Sequence, residues 1–581
     1  MGLGRAPFDD PGEGMHAEIA RELLRSRDPG VLTLNGVSYV DKPPLLYVLL
    51  GGAFALAGPS EATARAVPAL CALAAIAATA WLGAQLLGAR GGFVAGTALL
   101  TSAGFFAFAR YVRPETLFVA ALAWGFALVL TGLAEERRWR VAAGLAVFGV
   151  AALAKDPLGV IGPPAAIGLA LALAGRQRPL RRWLPWPGVV GALGLGFGWW
   201  VFAERQTPGF VWYTLIDNHV LNVLRARRFP DEDVPLSAAQ FLMVAVLGAS
   251  PWVLSAGATL WSLVRRRAWR DPRETPWVAL ALWAVGVLVL MALSPFRLPH
   301  YGLPAYFAVA LLAARGWESY GGRRLVAAHA GVFAALALAC ALFWASDGRR
   351  FLESVLGATD IATRKSAAAG QAAPLPSFAE FQPLLGASAL VFAAGALASG
   401  ACAFVSGTTP RRTRVATFVV LASMLALLPS VAAALSLVSA HRAVQGIGLE
   451  LARRARPDDL LVHEGPLENS GALEWYTGRR PAIVDGRRSV LAFGALRPEA
   501  RDVFWDAARL ERAWGGGSRV WVVSVRAPGA SVVARLPGAR LVAASGGRWL
   551  WVNAIGGGLD GPLRGLPQEG SRGQSPRSNG D

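Results

Sequence analysis

Twelve apolar runs follow one another along this chain, most of them long enough to cross a bilayer, with mostly short loops between them. They cover residues 63–87, 92–108, 116–133, 141–154, 158–174, 187–203, 241–263, 277–293, 301–314, 325–344, 384–404 and 415–438. About 20 apolar residues span hydrocarbon as a helix, because a helix satisfies its own backbone where water is absent. The two runs flanking Lys155 are short and read as one broken pair. Residues 45–57 are also apolar, but they are short and follow Pro43-Pro44, so they read as an interfacial helix. A chain that is 54% hydrophobic and 16% charged is no ordinary soluble protein. The pattern predicts a polytopic α-helical membrane protein.

The ionisable residues sort by loop. Arg-rich loops at 137–140, 176–182, 265–267, 323–324 and 411–414 recur after every second run, which orients them to the cytoplasm. The net charge of +19 is thus spread over membrane loops, so no nucleic-acid partner is expected. Alternation places residues 1–62 outside the cytoplasm, although no span precedes them; a further span upstream of residue 1 is expected. Cys71, Cys340 and Cys402 fall inside apolar runs and read as small buried hydrophobes.

Four regions result. Residues 1–62 form a first extracytoplasmic loop with an amphipathic helix at 17–27, and 63–438 form the membrane bundle. The bundle carries two larger outer loops, 204–240 and 345–383, the second with an Ala/Pro/Ser-rich stretch at 365–376 expected to be a flexible connector. Residues 439–555 read as a small extracytoplasmic α/β domain, helical over 441–456 with strands at 460–463, 482–485, 519–525 and 549–553. It has no Gly-rich phosphate loop and no Cys/His pattern, so no catalysis is assigned to it. The tail, 556–581, reads as disordered.

The outer loops carry five polar clusters: 9–18, 39–44, 110–115, 155–157, and 217–219 followed by Arg225, Arg227 and Arg228. Acids ahead of a helix also serve as N-caps, and Arg at a membrane edge also snorkels to headgroups. Lys155 is different, because it interrupts apolar sequence on both sides. A charge there costs at least ~2.5–3.5 kcal/mol on insertion scales and marks a functional site. Together the clusters set acids able to take a proton beside several cations at one interface. Expelling a phosphate from a lipid carrier needs that mix: a carboxylate for the acceptor, Lys and Arg for the leaving phosphate.

The ordered motifs carry a resemblance. Glu13…His16-Ala17-Glu18-Ile19-Ala20-Arg21-Glu22, Leu34-Asn35-Gly36 and Tyr39…Asp41-Lys42-Pro43-Pro44 resemble the first outer loop of GT-C glycosyltransferases. The nearest groups are the lipid A aminoarabinose transferases and the wider protein O-mannosyltransferases of family 39. Arg113-Pro114-Glu115, Lys155-Asp156-Pro157, Asn218-His219 and Leu298-Pro299-His300-Tyr301 follow in order, and Ala472-Leu473-Glu474-Trp475-Tyr476-Thr477-Gly478-Arg479 extends the likeness to the C-terminal domain.

The resemblance implies about 13 spans and transfer, with inversion, of a sugar from a polyprenyl-phosphate donor in the membrane to a hydroxyl or phosphate acceptor. That acceptor would be lipid A, a protein or an envelope glycan. The expected place is the extracytoplasmic face of a bacterial inner membrane. The resemblance further implies an acid in the first loop and a Lys-Pro-Pro lysine on the donor phosphate. Here the family's Asp-Glu is Gly12-Glu13, so Asp10 or Glu13 is left for the acid. Lys42, with Lys155, Arg113, Arg225, Arg227 and Arg228, would hold the phosphate; His16, Tyr39, Glu115 and Tyr301 would contact substrate. A divalent metal, bound in some relatives, would fall to Asp41 and His219. Two other classes fit the composition: a transporter or flippase with Lys155 in its path, although no internal repeat is evident, and a scaffold descended from such an enzyme.

Overall fold

The computed structural model of the chain describes residues 2–26, 31–177, 179–320, 322–346, 348–404 and 410–554. The tail 556–581 lies outside the described residues, as do Arg178 and the side chains at 410–413 of the Arg-rich loops.

Every apolar run forms helix. Among the described residues seven helices are long and apolar enough to cross a membrane, or eight if Ala238–Gly248 and Trp252–Arg265, bent by 104°, are one span. The shortfall from twelve has local causes. Runs 63–87 and 92–108 share the helix Glu61–Thr101, which folds back at Gly88 (φ 81°). Its arms touch through small residues: a Cβ on Gly92 would lie 2.4 Å from the Ala80 carbonyl oxygen, and one on Gly83 3.0 Å from Gly92 Cα. Runs 141–154, 158–174 and 301–314 become the shorter helices Arg138–Ala154, Leu158–Leu173 and Tyr306–Tyr320.

The Arg-rich loops meet at one end of this bundle. Arg182 pairs with Glu136, Arg90 with Glu318 at 3.3 Å and Arg315 with Glu274 at 2.5 Å, while Arg176 donates to the Pro272 carbonyl.

At the other end lies the first loop. The helix Glu13–Ser26 leads to a two-residue hairpin, β1 (Thr33–Leu34) and β2 (Val37–Ser38), turned by Asn35 and Gly36 at φ 56° and 72°. An Asn-Gly pair suits that turn because both central residues need φ > 0. Glu22 accepts from Gly36 N–H and from the Thr33 hydroxyl, which holds the hairpin on the helix. The apolar helix Leu45–Ala57 follows Pro44.

The C-terminal region is a six-stranded sheet: β3 (Leu460–Glu464), β4 (Ala482–Val484), β5 (Phe504–Trp505), β6 (Val520–Ser524), β7 (Arg540–Ser545) and β8 (Arg548–Val552), in the order β5-β4-β3-β6-β8-β7. β5, β4, β3 and β6 are parallel; β8 and β7 close one side antiparallel. Along β6 the side chains alternate, Trp521 and Val523 into one core and Val520 and Val522 into another, as a strand buried on both faces requires.

The first of those cores is shared. Phe8, Ile19, Leu23 and Tyr47 of the first loop pack with Val444, Ile447, Leu473 and Trp521 of the C-terminal region. Backbones almost touch at the seam, where a Cβ on Gly14 would lie 2.4 Å from Ala472 N. The expected connector at 365–376 is helical in its first part. Asp360 caps the helix Ile361–Ala368, and ion pairing of Lys365 with Asp233 fixes it in place.

Candidate active site

Between the first loop and the bundle end, side chains from six segments converge. The first loop supplies His16, Tyr39, Asp41 and Lys42. Tyr47 Oη donates to Tyr39 Oη at 3.3 Å and sits 2.8 Å from His16 Nδ1. Burial, together with the Arg113 charge, pushes the His16 imidazole down to about 3, which keeps it neutral. Lys42 Nζ pairs with Asp41 at 2.5 Å and remains one-third exposed. Burial works against the Asp41 charge, yet Lys42 and, behind it, Arg227 outweigh it and hold the carboxyl below its ordinary value.

Glu115 is the hub. It opens the helix Glu115–Ala134, where the positive end of the helix dipole favours a carboxylate. Its Oε1 lies 3.3 Å from Lys155 Nζ and 3.4 Å from His300 Nε2, while its buried Oε2 has no hydrogen-bond partner. His300 Nδ1 is 3.4 Å from Arg113. Lys155 ends the helix Arg138–Ala154, and its ammonium lies 5.4 Å from the Tyr301 ring and 5.8 Å from Phe118. A lysine in apolar sequence is tolerable in this form, with a counter-charge and aromatic faces around it.

The third wall is the segment Trp212–Leu221 and the loop after it. His219 Nε2 meets Asp156 at 3.2 Å, a hydrogen bond that raises the imidazole above its ordinary value, and Nδ1 sits on the Thr214 carbonyl. Asp217 is fully buried and accepts from the Arg228 and Phe229 N–H groups. Arg227 binds the Asn218 side-chain oxygen at 2.7 Å and Asp231 at 3.2 Å. Arg225 and Arg228 stand exposed at the rim, Arg228 over the Trp212 ring.

Asp10 and Glu13 sit at the seam. Glu13 takes Arg65 Nε at 2.9 Å and Nη2 at 2.6 Å, and it accepts from Val112 N–H and Asp9 N–H. Asp10 accepts from Val444 N–H at 3.0 Å and Ala472 N–H at 3.4 Å. Burial pushes the Asp10 carboxyl up to about 7 against the pull of Arg548. Asp9 pairs with Arg442 at 2.5 Å and accepts from Tyr111. Gly12 has φ 132°, and a Cβ there would lie 3.3 Å from Tyr111 Oη and 3.5 Å from Arg113 Nε.

The cluster therefore joins His16, Tyr39, Asp41, Lys42, Arg113, Glu115, Lys155, His219, Arg227 and Tyr301, leaving Asp10, Glu13, Arg225 and Arg228 at its edges. Sequence reasoning did not single out Asp156, Asp231 or His300 as site residues, although Asp156 and His300 stand beside residues that were chosen. A metal on Asp41 and His219 does not fit. Asp41 is paired to Lys42, and both His219 nitrogens are engaged. Among the described residues the carboxylates grouped closely enough for an ion are Glu18, Glu22 and Glu474, within 4.8 Å, and Arg21, Arg25 and Arg480 already pair with them.

Comparisons with known proteins bear on the fold. Residues 41–201 match the family described as dolichyl-phosphate-mannose-protein mannosyltransferase. An undecaprenyl phosphate-alpha-4-amino-4-deoxy-L-arabinose arabinosyl transferase 2 of Sodalis glossinidius is 27% identical over 329 residues, 54% of this chain and 56% of that protein. The corresponding transferase of Aeromonas salmonicida is 26% identical over 324 residues, with the same shares. The chain thus spans about half the length of the curated relatives it matches. The crystal structure of ArnT from Cupriavidus metallidurans bound to undecaprenyl phosphate superposes with a TM-score of 0.75, covering 97% of this chain and 96% of that one at 22% identity. Its apo structure gives 0.73. The resemblance to GT-C glycosyltransferases read from the sequence holds. The chain has the fold of ArnT: an apolar helical bundle with a small C-terminal sheet region.

Proposed function

We propose that this chain is a membrane glycosyltransferase that moves a sugar from a polyprenyl-phosphate carrier to an extracytoplasmic acceptor, with inversion at the anomeric carbon. The observation that carries the reading is the gathering of four cations around two neighbouring carboxylates at one end of an apolar bundle, Lys155 and Arg113 about the buried Glu115 and Lys42 and Arg227 about Asp41. The acceptor oxygen attacks the anomeric carbon, the bond from that carbon to the phosphate oxygen breaks, and polyprenyl phosphate leaves with the electron pair. Lys42 and Lys155, helped by Arg113 and Arg227, stabilise the charge that grows on the phosphate. Arg225 and Arg228 draw the anionic donor in from the rim. His16, held neutral by burial, shares contact with the sugar with Tyr39, Glu115 and Tyr301.

The setting is a bacterial inner membrane crossed by the long apolar helices. Residues 1–62 and 439–555 lie on the outer side and the Arg-rich loops in the cytoplasm. The helix Leu45–Ala57 supports this, because its exposed face, with Val48, Leu49 and Leu56, is itself apolar and suits a helix lying on hydrocarbon. The acceptor carries a hydroxyl or a phosphate, as lipid A, a protein or an envelope glycan does.

Equilibrium binding of undecaprenyl phosphate to the purified chain tests the assignment. Lys42→Ala removes a charge-assisted contact of about 1.5–3 kcal/mol, so binding should weaken by about 10- to 150-fold with the melting temperature unchanged. Unaltered affinity removes Lys42 from the donor site.

A further inference from the structure

The parallel part of the C-terminal sheet has a topological switch point. From β3 the chain passes to β4 and β5 on one side, then returns to place β6 on the other. In open α/β sheets ligands bind outside the carboxyl ends of the strands at such a point, where the connections leave in opposite directions. Here that place is a pocket. Asn469, on the chain leaving β3, and Val525 and Arg526, directly after β6, line a solvent-open cavity with about 560 Å³ of empty space.

Other parts of the chain close it. The helix Ile361–Ala368 contributes Ala362, Lys365 and Ser366, a spacing that sets them on one helix face. The first loop adds Asp10 and Pro11. Gly546 and Gly547 turn β7 into β8 at φ 62° and 72°, which brings Arg548 to the lining as the first residue of β8.

The lining is cationic, with Lys365, Arg442, Arg526 and Arg548 against Asp10 and Glu232. Three of the cations are held by carboxylates. Lys365 pairs with Asp233 at 2.7 Å, Arg442 with Asp9 and Asp360 at 2.5 Å, and Arg526 with Glu232 at 2.9 Å and Asp485 at 3.0 Å. Arg548 differs. It is 5% exposed, it forms no ion pair among the described residues, and it donates to the carbonyls of Arg442, Gly546 and Asn469. A buried guanidinium without a counter-charge is costly, and an anion in the pocket that it lines would supply one. Buried polar atoms also need partners. Among the described residues Arg442 Nε, Ser470 Oγ and both carboxyl oxygens of Glu468 have none, and Glu468 and Ser470 flank Asn469. Burial pushes Glu468 up to about 8, so at neutral pH it holds a proton that it can donate.

We propose that this crevice is a second anion site, sharing no residue with the donor cluster, and that it takes a phosphomonoester whose oxygens meet Lys365, Arg442, Arg526 and Arg548. A dianion with three acceptor oxygens suits a group of guanidiniums, which bind phosphate in bidentate fashion. The site needs no sugar transfer, so it stands apart from the glycosyltransferase reading. A soluble phosphate ester and a lipid headgroup both carry the group it recognises.

Titration calorimetry of the purified full chain with glucose 1-phosphate, and separately with dioctanoyl phosphatidic acid, tests the site. The donor cluster also attracts phosphate, so each titration is repeated on Lys42→Ala. The expected result is saturable binding that survives Lys42→Ala and weakens about tenfold or more in Arg526→Gln and in Lys365→Met. Glucose 1-phosphate binding in that pattern shows that the ester group suffices; binding of phosphatidic acid alone assigns a lipid headgroup. If Arg526→Gln no longer melts cooperatively, Lys365→Met decides. Affinity unchanged in Arg526→Gln and Lys365→Met, or lost in Lys42→Ala, overturns the inference, as does no binding of either probe. A chain that binds as expected yet releases no polyprenyl phosphate refutes the glycosyltransferase reading and leaves this site standing.

Discussion

Replacing Glu13 by Gln changes one oxygen and one charge at a site that is 1% exposed, and the structure gives the cost. The carboxylate receives four donors, two from Arg65 and two from backbone N–H groups. An amide turns its own NH₂ toward donors on one side and leaves the Arg65 guanidinium without a counter-charge. Removing one partner of a buried ion pair costs about 3–5 kcal/mol. Arg65 also donates to the carbonyls of Leu3, Ala6 and Pro7, which keep it partly satisfied, so the low end, about 3 kcal/mol, applies. At 1.4 kcal/mol per tenfold, that loss is about a hundredfold faster opening of residues 2–26. Hydrogen–deuterium exchange over that segment reads it directly, and a double-mutant cycle with Arg65→Met should return a coupling of at least about 2 kcal/mol. If Glu13→Gln silences the protein while exchange over 2–26 stays at the wild-type rate, Glu13 acts in the chemistry and the structural argument fails.

Burial pushes Glu468 up to about 8 despite Lys365, and Asp10 up to about 7 despite Arg548. Both hold protons in the fold that the unfolded chain loses near 4, so stability is greatest at low pH and falls as pH rises through 7 and 8. The melting temperature should therefore drop between about pH 4 and 8 and level off above, and Glu468→Gln should flatten that drop; an unchanged slope contradicts the burial argument. Gly14→Ala sets a methyl about 2.4 Å from the Ala472 backbone, an overpacking of about 1–3 kcal/mol, and should expose the seam to protease. Cleavage no faster than wild type would show that the seam yields without cost. Glu115→Gln leaves the buried Lys155 ammonium without its carboxylate and should cost about 3–5 kcal/mol of stability, read as a lower melting temperature. An unchanged melting temperature would show that the pair is not needed to hold Lys155 in place.

Local order was legible in the sequence. Apolar runs became helices, Leu45–Ala57 kept its expected bounds, and strands formed where β-branched and aromatic residues cluster. The hairpin at Gly88 and the two-residue strand β5 were harder to read, because a lone glycine or a two-residue pairing carries little periodic signal. Lys155 stood out because charge inside apolar sequence is costly, whereas Lys42, Arg113 and Glu115 were reached through the resemblance. The partners of the acids did not, since Asp9 meets Arg442, Asp10 meets Ala472 and Glu13 meets Arg65 across separations that no local pattern encodes.

The measurement that tests the central claim most directly is release of polyprenyl phosphate from labelled polyprenyl-phosphate sugars by the purified chain, with membrane extracts as the acceptor source. Release that depends on Lys42, with the sugar recovered on an extract component, is the expected result. No release from any donor, by a protein that still melts cooperatively and binds polyprenyl phosphate, would contradict it and leave a binding or transport role for the same site.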